Sequence, residues 1–249
     1  MLIADIAGYT RFMNLHRVSL AHAQDIVARL LEAVIDAAQP VLRLAKIEGD
    51  AAFFYAPAAE PGANGATLAR RSTAIYRAFH AKAADLKANT LCPCDGCQQA
   101  GMLKLKLVSH IGDVAVQKVK QMTELAGVDV ILVHRLLKNN VPVPEYLLMT
   151  RPLFDLMQES VREQAAAVQL QIEELGPTEA YYIDLSRDLG EAAPPTALPF
   201  LSRLARHLKL TSRSLPYFVG AKQACAGFRN VADAPPEGAS ERAAARETD

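Results

Sequence analysis

Two short apolar runs, each next to a turn and an aspartate, bracket one long amphipathic segment, and that order leaves few folds open. Leu2 to Ile6 carries Asp5 and closes at Ala7-Gly8, while Val41 to Ile47 and Ala51 to Tyr55 flank Glu48-Gly49-Asp50. Runs of this length bounded by glycine and acidic residues read as strands, and the Glu-Gly-Asp turn makes the later two a hairpin. From about Ala21 to Ala38, Ile26, Val27, Leu30, Leu31, Val34 and Ile35 recur at helical spacing until Pro40 stops the helix. If that helix delivers the chain to a strand parallel to the first, the hairpin tip returns to the rim where the first strand ends. Asp5 and Asp50 then converge.

Further along, Ala66 to Lys87 reads as a second long helix after the Pro- and Gly-rich loop from Pro57 to Asn64. Leu103 to Val108 and Val114 to Val119, joined by His110-Ile111-Gly112-Asp113, suggest two more paired strands, and Val130 to Leu137 a short helix. Tyr146 to Met149 and Ala180 to Leu185 read as late strands around a helix from about Pro152 to Ala167. Leu198 to Leu210 is an amphipathic segment, and Ala234 to Asp249 is polar and reads as a disordered tail.

Lys plus Arg (27) balances Asp plus Glu (27), so no global field draws the chain to nucleic acid or an anionic membrane. An acid at position 5 comes too early for a signal-peptide core, and no uncharged run approaches the roughly 18 residues of a membrane span. The expectation is a cytoplasmic protein whose phosphate chemistry, if any, rests on a few placed groups.

Two carboxylates brought together must share a cation or a proton, and two divalent ions about 3.5–4 Å apart are a standard device for displacement at phosphorus. Asp and Gly are equally frequent as plain turn and cap residues. Spacing alone therefore favours the ordinary reading.

Four segments change that balance. Asp5-Ile6-Ala7-Gly8-Tyr9-Thr10 resembles the Asp-Ile-x-Gly-Phe-Thr opening of class III adenylyl and guanylyl cyclase domains, and Lys46-Ile47-Glu48-Gly49-Asp50 resembles their Lys-x-x-Gly-Asp hairpin. Lys106 to Gly112 is similar to their Arg-x-Gly-x-His-x-Gly strand, and Gly127 to Arg135 to their Gly-x-x-x-Asn-x-x-x-Arg helix start. Tyr146 to Thr150 and Glu173 to Pro177 look like the family's closing strands. The cysteine loop and His134 to Asn139 look most similar to a bacterial branch of unknown function.

The resemblance implies a ferredoxin-like βαββαβ α+β domain over residues 1–187, a central mixed sheet flanked by helices, a helical extension over 188–233 and a tail over 234–249. It implies that Asp5, Asp50 and the carbonyl of Ile6 hold two Mg²⁺ or Mn²⁺ ions for cyclisation of ATP to 3′,5′-cyclic AMP. It places Lys46 and Glu124 at the purine, where an ammonium suits adenine N1. Arg135 and Lys106 fall at the phosphates, Lys106 in an Arg position and so without the bidentate fork. It further implies a homodimer with composite sites, Asp5 and Asp50 of one chain facing Lys46 and Arg135 of the other. Two departures stand out: Ile131 replaces the family's Asn, and Thr178-Glu179-Ala180 stands where many cyclases bring a Lys, so that Glu179 would repel phosphate. A catalytically impaired, nucleotide-binding regulatory or scaffold module is the alternative. His110 follows a strand and reads as structural.

Cys92-Pro93-Cys94-Asp95-Gly96-Cys97 offers three thiols in one loop, a pattern that suits zinc better than a disulfide framework. The motif lacks a fourth ligand, for which His80, Cys225 or a residue of a second chain are open. Three reduced surface thiols, or a local disulfide under oxidation, are the competing reading.

Overall fold

The computed structural model describes residues 1–15, 20–58, 64–92, 99–120, 122–188 and 195–218. The expected tail and most of the cysteine loop lie outside them.

β1 (Leu2–Ala7) is the pivot of the fold. It pairs antiparallel with β3 (Ala51–Tyr55) on one side and with β4 (Lys104–Ser109) on the other. β2 (Arg43–Glu48) closes that edge on β3. With α1 (Tyr9–Leu15) and α2 (Leu20–Ala38) after β1, and α3 (Gly65–Asn89) before β4, this is the expected βαββαβ unit. The sheet extends through β7 (Tyr146–Thr150), β9 (Gly176–Asp184) and β8 (Ala166–Ile172), giving the order β2-β3-β1-β4-β7-β9-β8 with only β4 and β7 parallel.

Successive residues of β1 face opposite sides of the sheet. Leu2, Ala4 and Ile6 join Leu30, Val34, Ile75 and Phe79 under α2 and α3. Ile3 joins Phe53, Val108 and Leu148 with Val130 and Val133 of α4 (Val128–Arg135) on the other face. Asp5 shares the parity of Ile3 and so lies on the α4 side, at the end of the strand. α3 is started by Asn64, whose side chain accepts from the Thr67 amide at 2.9 Å, one of the otherwise orphaned helix donors.

Two expectations are corrected. β4 and β5 (Ala115–Val119) do not pair: β5 forms a separate two-stranded ribbon with β6 (Met122–Ala126). The reason is local. A Cβ on Gly112 would sit 2.3 Å from the Asp129 carboxylate and 2.6 Å from His110, so the 110–113 segment runs tightly against α4 instead of turning back. The single helix expected from 152 to 167 is instead two one-turn helices, α5 (Arg151–Phe154) and α6 (Glu159–Arg162), followed by β8. Val168, Leu170 and Ile172 alternate with Gln169 and Gln171, and seven residues of register with β9 outweigh the helical preference of the Ala-rich start.

Glu145, 2% exposed, ties the α3 layer to the sheet. It accepts from the Tyr76 hydroxyl (3.2 Å) and the Leu105 amide (3.0 Å), with His80 Nε2 at 2.7 Å and Lys104 Nζ at 3.4 Å. Burial pushes its carboxyl up, but hydrogen bonds from His80 and the Leu105 amide, with the charges of His80 and Lys104, outweigh that and hold it below its ordinary 4.5. A depressed carboxyl contributes stability above its unfolded value that is lost as pH falls through the folded one. Glu145→Leu, which strands these donors, is therefore expected to cost roughly 3 kcal/mol, or about 6–12 °C in melting temperature, at pH 7.5. The gap should narrow below pH 4.5. A variant as stable as the parent at pH 7.5 would refute this role.

After Asp184, the last described helix, α7 (Phe200–Phe218), packs along α2. Asn89 receives the Leu198 amide at 2.9 Å and donates to the Thr196 carbonyl at 3.1 Å, anchoring the approach to α7. No helix among the described residues is long and apolar enough to cross a membrane.

Candidate active site

Glycine sets the rim where the two aspartates meet. Gly8, with φ +87°, turns the chain sharply at the end of β1, and Gly49, with φ +64°, makes the hairpin tip beside Asp50. Both angles are costly for residues with a Cβ. Asp5 lies opposite Ala51, and the Ile6 amide donates to the Asp50 carbonyl at 3.2 Å. Asp5 and Asp50 are thus brought together, as the sequence predicts. On its other side Asp5 lies across from Lys106 of β4, whose Nζ is 6.0 Å from the Tyr146 ring centre.

The electrostatics of the pair are unfavourable without further positive charge. Burial, then the charge of Asp50, pushes the Asp5 carboxyl up to about 6, only partly opposed by Lys106. Asp50 is raised by burial against a backbone hydrogen bond that lowers it. Tyr146 is raised by burial and by the Asp5 charge, against its bond with Asn139. A divalent cation would relieve this strain. Among the described residues no three His, Cys, Asp or Glu side chains cluster, so the aspartates form a two-carboxylate site. Magnesium suits such a site, since it takes one or two carboxylates and fills its remaining positions with water and phosphate oxygens. The Ile6 side chain, 1% exposed, is turned into the α2 and α3 core, leaving its main chain for the site.

Lys46 and Glu124 are also brought together, Nζ to carboxylate at 3.9 Å. Two neighbours were not anticipated: Glu48 lies 2.7 Å from Lys46, and His134 Nδ1 lies 3.3 Å from Glu48 and packs edge-on to Phe53. The signals were present in the two-residue period that puts Glu48 beside Lys46, and in the position of His134 next to Arg135. Burial, with Lys46 nearby, lowers His134 against the opposing pull of Glu48.

Arg135 is engaged elsewhere, at the β8–β9 turn. It donates to the Glu173 carbonyl and, at 2.7 Å, to the Glu174 carboxylate. Ile131, one helical turn before it, is half exposed. Glu179 does not stand as a bare anion, because Arg151 at 3.0 Å and the Tyr181 hydroxyl at 2.6 Å bond it. His110 is held by Thr150 at 2.7 Å and Asp129 at 3.1 Å, the arrangement of a structural histidine. Cys92 is buried, and Cys94, Cys97 and Cys225 lie outside the described residues.

A family described as protein of unknown function (DUF2652) matches residues 27–146. An uncharacterised protein of Mycobacterium tuberculosis, Rv2561/Rv2562, is 45% identical over 206 residues, 82% of this chain and 94% of that protein. The chain belongs to the same family as that mycobacterial protein. Its DUF2652 segment runs from within α2 to the start of β7 and contains Lys46, Asp50, Lys106 and Arg135, while Asp5 precedes it.

In three dimensions the chain has the fold of class III cyclase catalytic domains. An adenylate cyclase from Trypanosoma brucei, in its monomeric state, superposes with a TM-score of 0.50 at 15% identity, covering 74% of this chain and 88% of that one. The adenylyl cyclase CyaB from P. aeruginosa gives 0.50 at 18% identity, covering 76% and 95%. A bacterial light-regulated adenylyl cyclase gives 0.52 at 15% identity, covering 84% of this chain and 56% of that one. At such identities the likeness concerns the fold.

Proposed function

We propose that this protein is a nucleotide cyclase that converts ATP to 3′,5′-cyclic AMP and pyrophosphate as a homodimer. The observation that carries the reading is the meeting of Asp5 and Asp50 at one rim of the sheet, with Lys106 across from Asp5. Asp5, Asp50 and the main chain of Ile6 would hold Mg²⁺ or Mn²⁺, which supplies charge for the triphosphate and acidifies the ribose 3′ hydroxyl. Lys106 adds a fixed positive charge beside them. Lys46 donates to adenine N1 and Glu124 accepts from the exocyclic amine, which selects ATP over GTP. As the O3′–Pα bond forms, the hydroxyl proton leaves to water, the bond from Pα to the bridging oxygen breaks, and pyrophosphate departs. Arg135 stabilises the charge that develops at Pα.

Dimerisation is part of this reading because Arg135 is held at the β8–β9 turn, remote in the sheet order from β1, and reaches a phosphate more readily on a second copy. Val116, Val119, Val128 and Ile131, each about half exposed or more, offer apolar surface on β5 and α4 for that contact. A second reading, a nucleotide-binding module without turnover, is favoured by Ile131, which offers no hydrogen bond where the fold family has an amide.

With Mn²⁺ and ATP, purified protein is expected to yield cyclic AMP detectable by mass spectrometry, and Asp50→Ala to yield none. Lys46→Glu should lower the ATP-to-GTP product ratio at least about tenfold, the worth of one good polar contact. Metal-dependent ATP binding without cyclic product would select the second reading.

A further inference from the structure

One irregularity in β2 turns a set of side chains toward the acidic rim. Leu44 pairs with Phe54, yet Lys46 pairs with Phe53, so Ala45 is a bulge in the ladder. A one-residue bulge reverses the face that the following side chains take. The cross-strand partners of Lys46 and Glu48 are Phe53 and Ala51, which belong with Ile3 to the core beneath α4. Lys46 and Glu48 therefore stand on the face that carries Asp5. Without the bulge both would face the α2 and α3 layer.

On that face the side chains interlock. Glu48 Oε1 is 2.7 Å from Lys46 Nζ, and Glu48 Oε2 is 3.3 Å from His134 Nδ1. Glu124 of β6 comes within 3.9 Å of Lys46, and the His134 ring rests edge-on against Phe53 at 5.0 Å between centres. One carboxylate thus engages a lysine of β2 and a histidine of α4, one with each oxygen. We propose that Glu48, braced by His134, is the positioning residue that holds Lys46 and thereby sets purine selectivity. The inference rests on the nucleotide site proposed above and deepens it.

The physical case has two parts. A lysine side chain has many rotamers to lose, and one that is already held meets adenine N1 at a smaller entropic cost. A held ammonium also rejects guanine, whose N1 carries a hydrogen: donor would face donor, and Lys46 tied to Glu48 does not swing aside. An unmatched carboxylate in such a site would repel a triphosphate, whereas here Lys46 matches its charge. The ordinary alternative is a surface ion pair without consequence, since Lys46, Glu48 and Glu124 are each roughly a third exposed. The engagement of the second oxygen by His134, and the bulge that turns the pair toward α4, argue against it.

The test uses the full chain with Mn²⁺ and the α,β-methylene analogues of ATP and GTP, so that binding is read without turnover. Glu48→Gln keeps the shape and removes the charge, and is expected to lower the ATP-to-GTP affinity ratio about threefold, the scale of an exposed ion pair. Loss of a charge alone would tighten both analogues alike and leave the ratio in place. In a Lys46→Met background Glu48→Gln should leave the ratio unchanged, because it acts through Lys46. His134→Phe should lower the ratio, and His134→Asn, which restores a donor near Nδ1, should recover most of it. An unchanged ratio in Glu48→Gln, the same threefold effect without Lys46, or a parental ratio in His134→Phe would each overturn the assignment. So would a raised ratio in Glu48→Gln, which would mean that Glu48 itself accepts from guanine. A parent that binds neither analogue would overturn the assignment and the nucleotide site together. Binding without cyclic product counts against turnover alone, and the affinity ratios still decide the role of Glu48.

Discussion

Asp5→Asn is expected to abolish nucleotide turnover and at the same time raise the melting temperature of the metal-free protein at pH 7.5. The folded carboxyl sits near pH 6, raised by burial and by Asp50, against an ordinary value of 3.8. Native protein therefore holds that proton more tightly than the unfolded chain does, and stability falls as pH rises from about 4 to 6, remaining lowered above. Asparagine keeps the shape and discards the charge. A two-unit shift corresponds to about 3 kcal/mol at most, and partial solvent access reduces this to about 1–2 kcal/mol, or roughly 2–8 °C. The advantage should vanish near pH 4, and Mn²⁺ should raise the melting temperature of the parent but not of the variant. Thermal melts with and without metal check both. A variant less stable than the parent at pH 7.5, or one that still makes product, would sink the account.

Ile131→Asn is expected to raise kcat by about 10²-fold, within the 10²–10³ range measured when one transition-state donor is removed elsewhere. Ile131 is 50% exposed on α4, so the exchange opens no cavity and costs only the small difference in helix propensity, about half a kcal/mol or less. Rate and stability should thus separate: a large gain in turnover beside a melting temperature within about 2 °C. An amide that lowered KM and left kcat unchanged would instead show uniform binding. No change in either would place α4 away from the reacting atoms.

The half of the fold that builds the acidic rim was legible because two independent periodicities agreed there. The helical stripe from Ile26 to Ile35 and the hairpin around Gly49 leave one economical arrangement, and β1 between β3 and β4 is that arrangement. The other half was legible only in part. Ala165 to Ala167 favours a helix locally, and the strand that forms there is decided by its partner β9. β5 is exposed along its whole length, so no burial pattern marked which strand it would meet. The two departures read from the sequence fared differently: Glu179 is compensated by Arg151, which the sequence places 28 residues earlier, whereas Ile131 stands unmodified on its helix.

The seven-strand order has a consequence for how such a protein could be tuned. β1 is hydrogen-bonded along both flanks and Leu2, Ile3 and Ala4 are wholly out of water, so its amides belong to the last cooperative unit to open. The acidic pair rides at the end of that unit. Whatever adjusts its reactivity would have to work through the exposed ribbon of β5 and β6, while the carboxylate-bearing strand stays fixed.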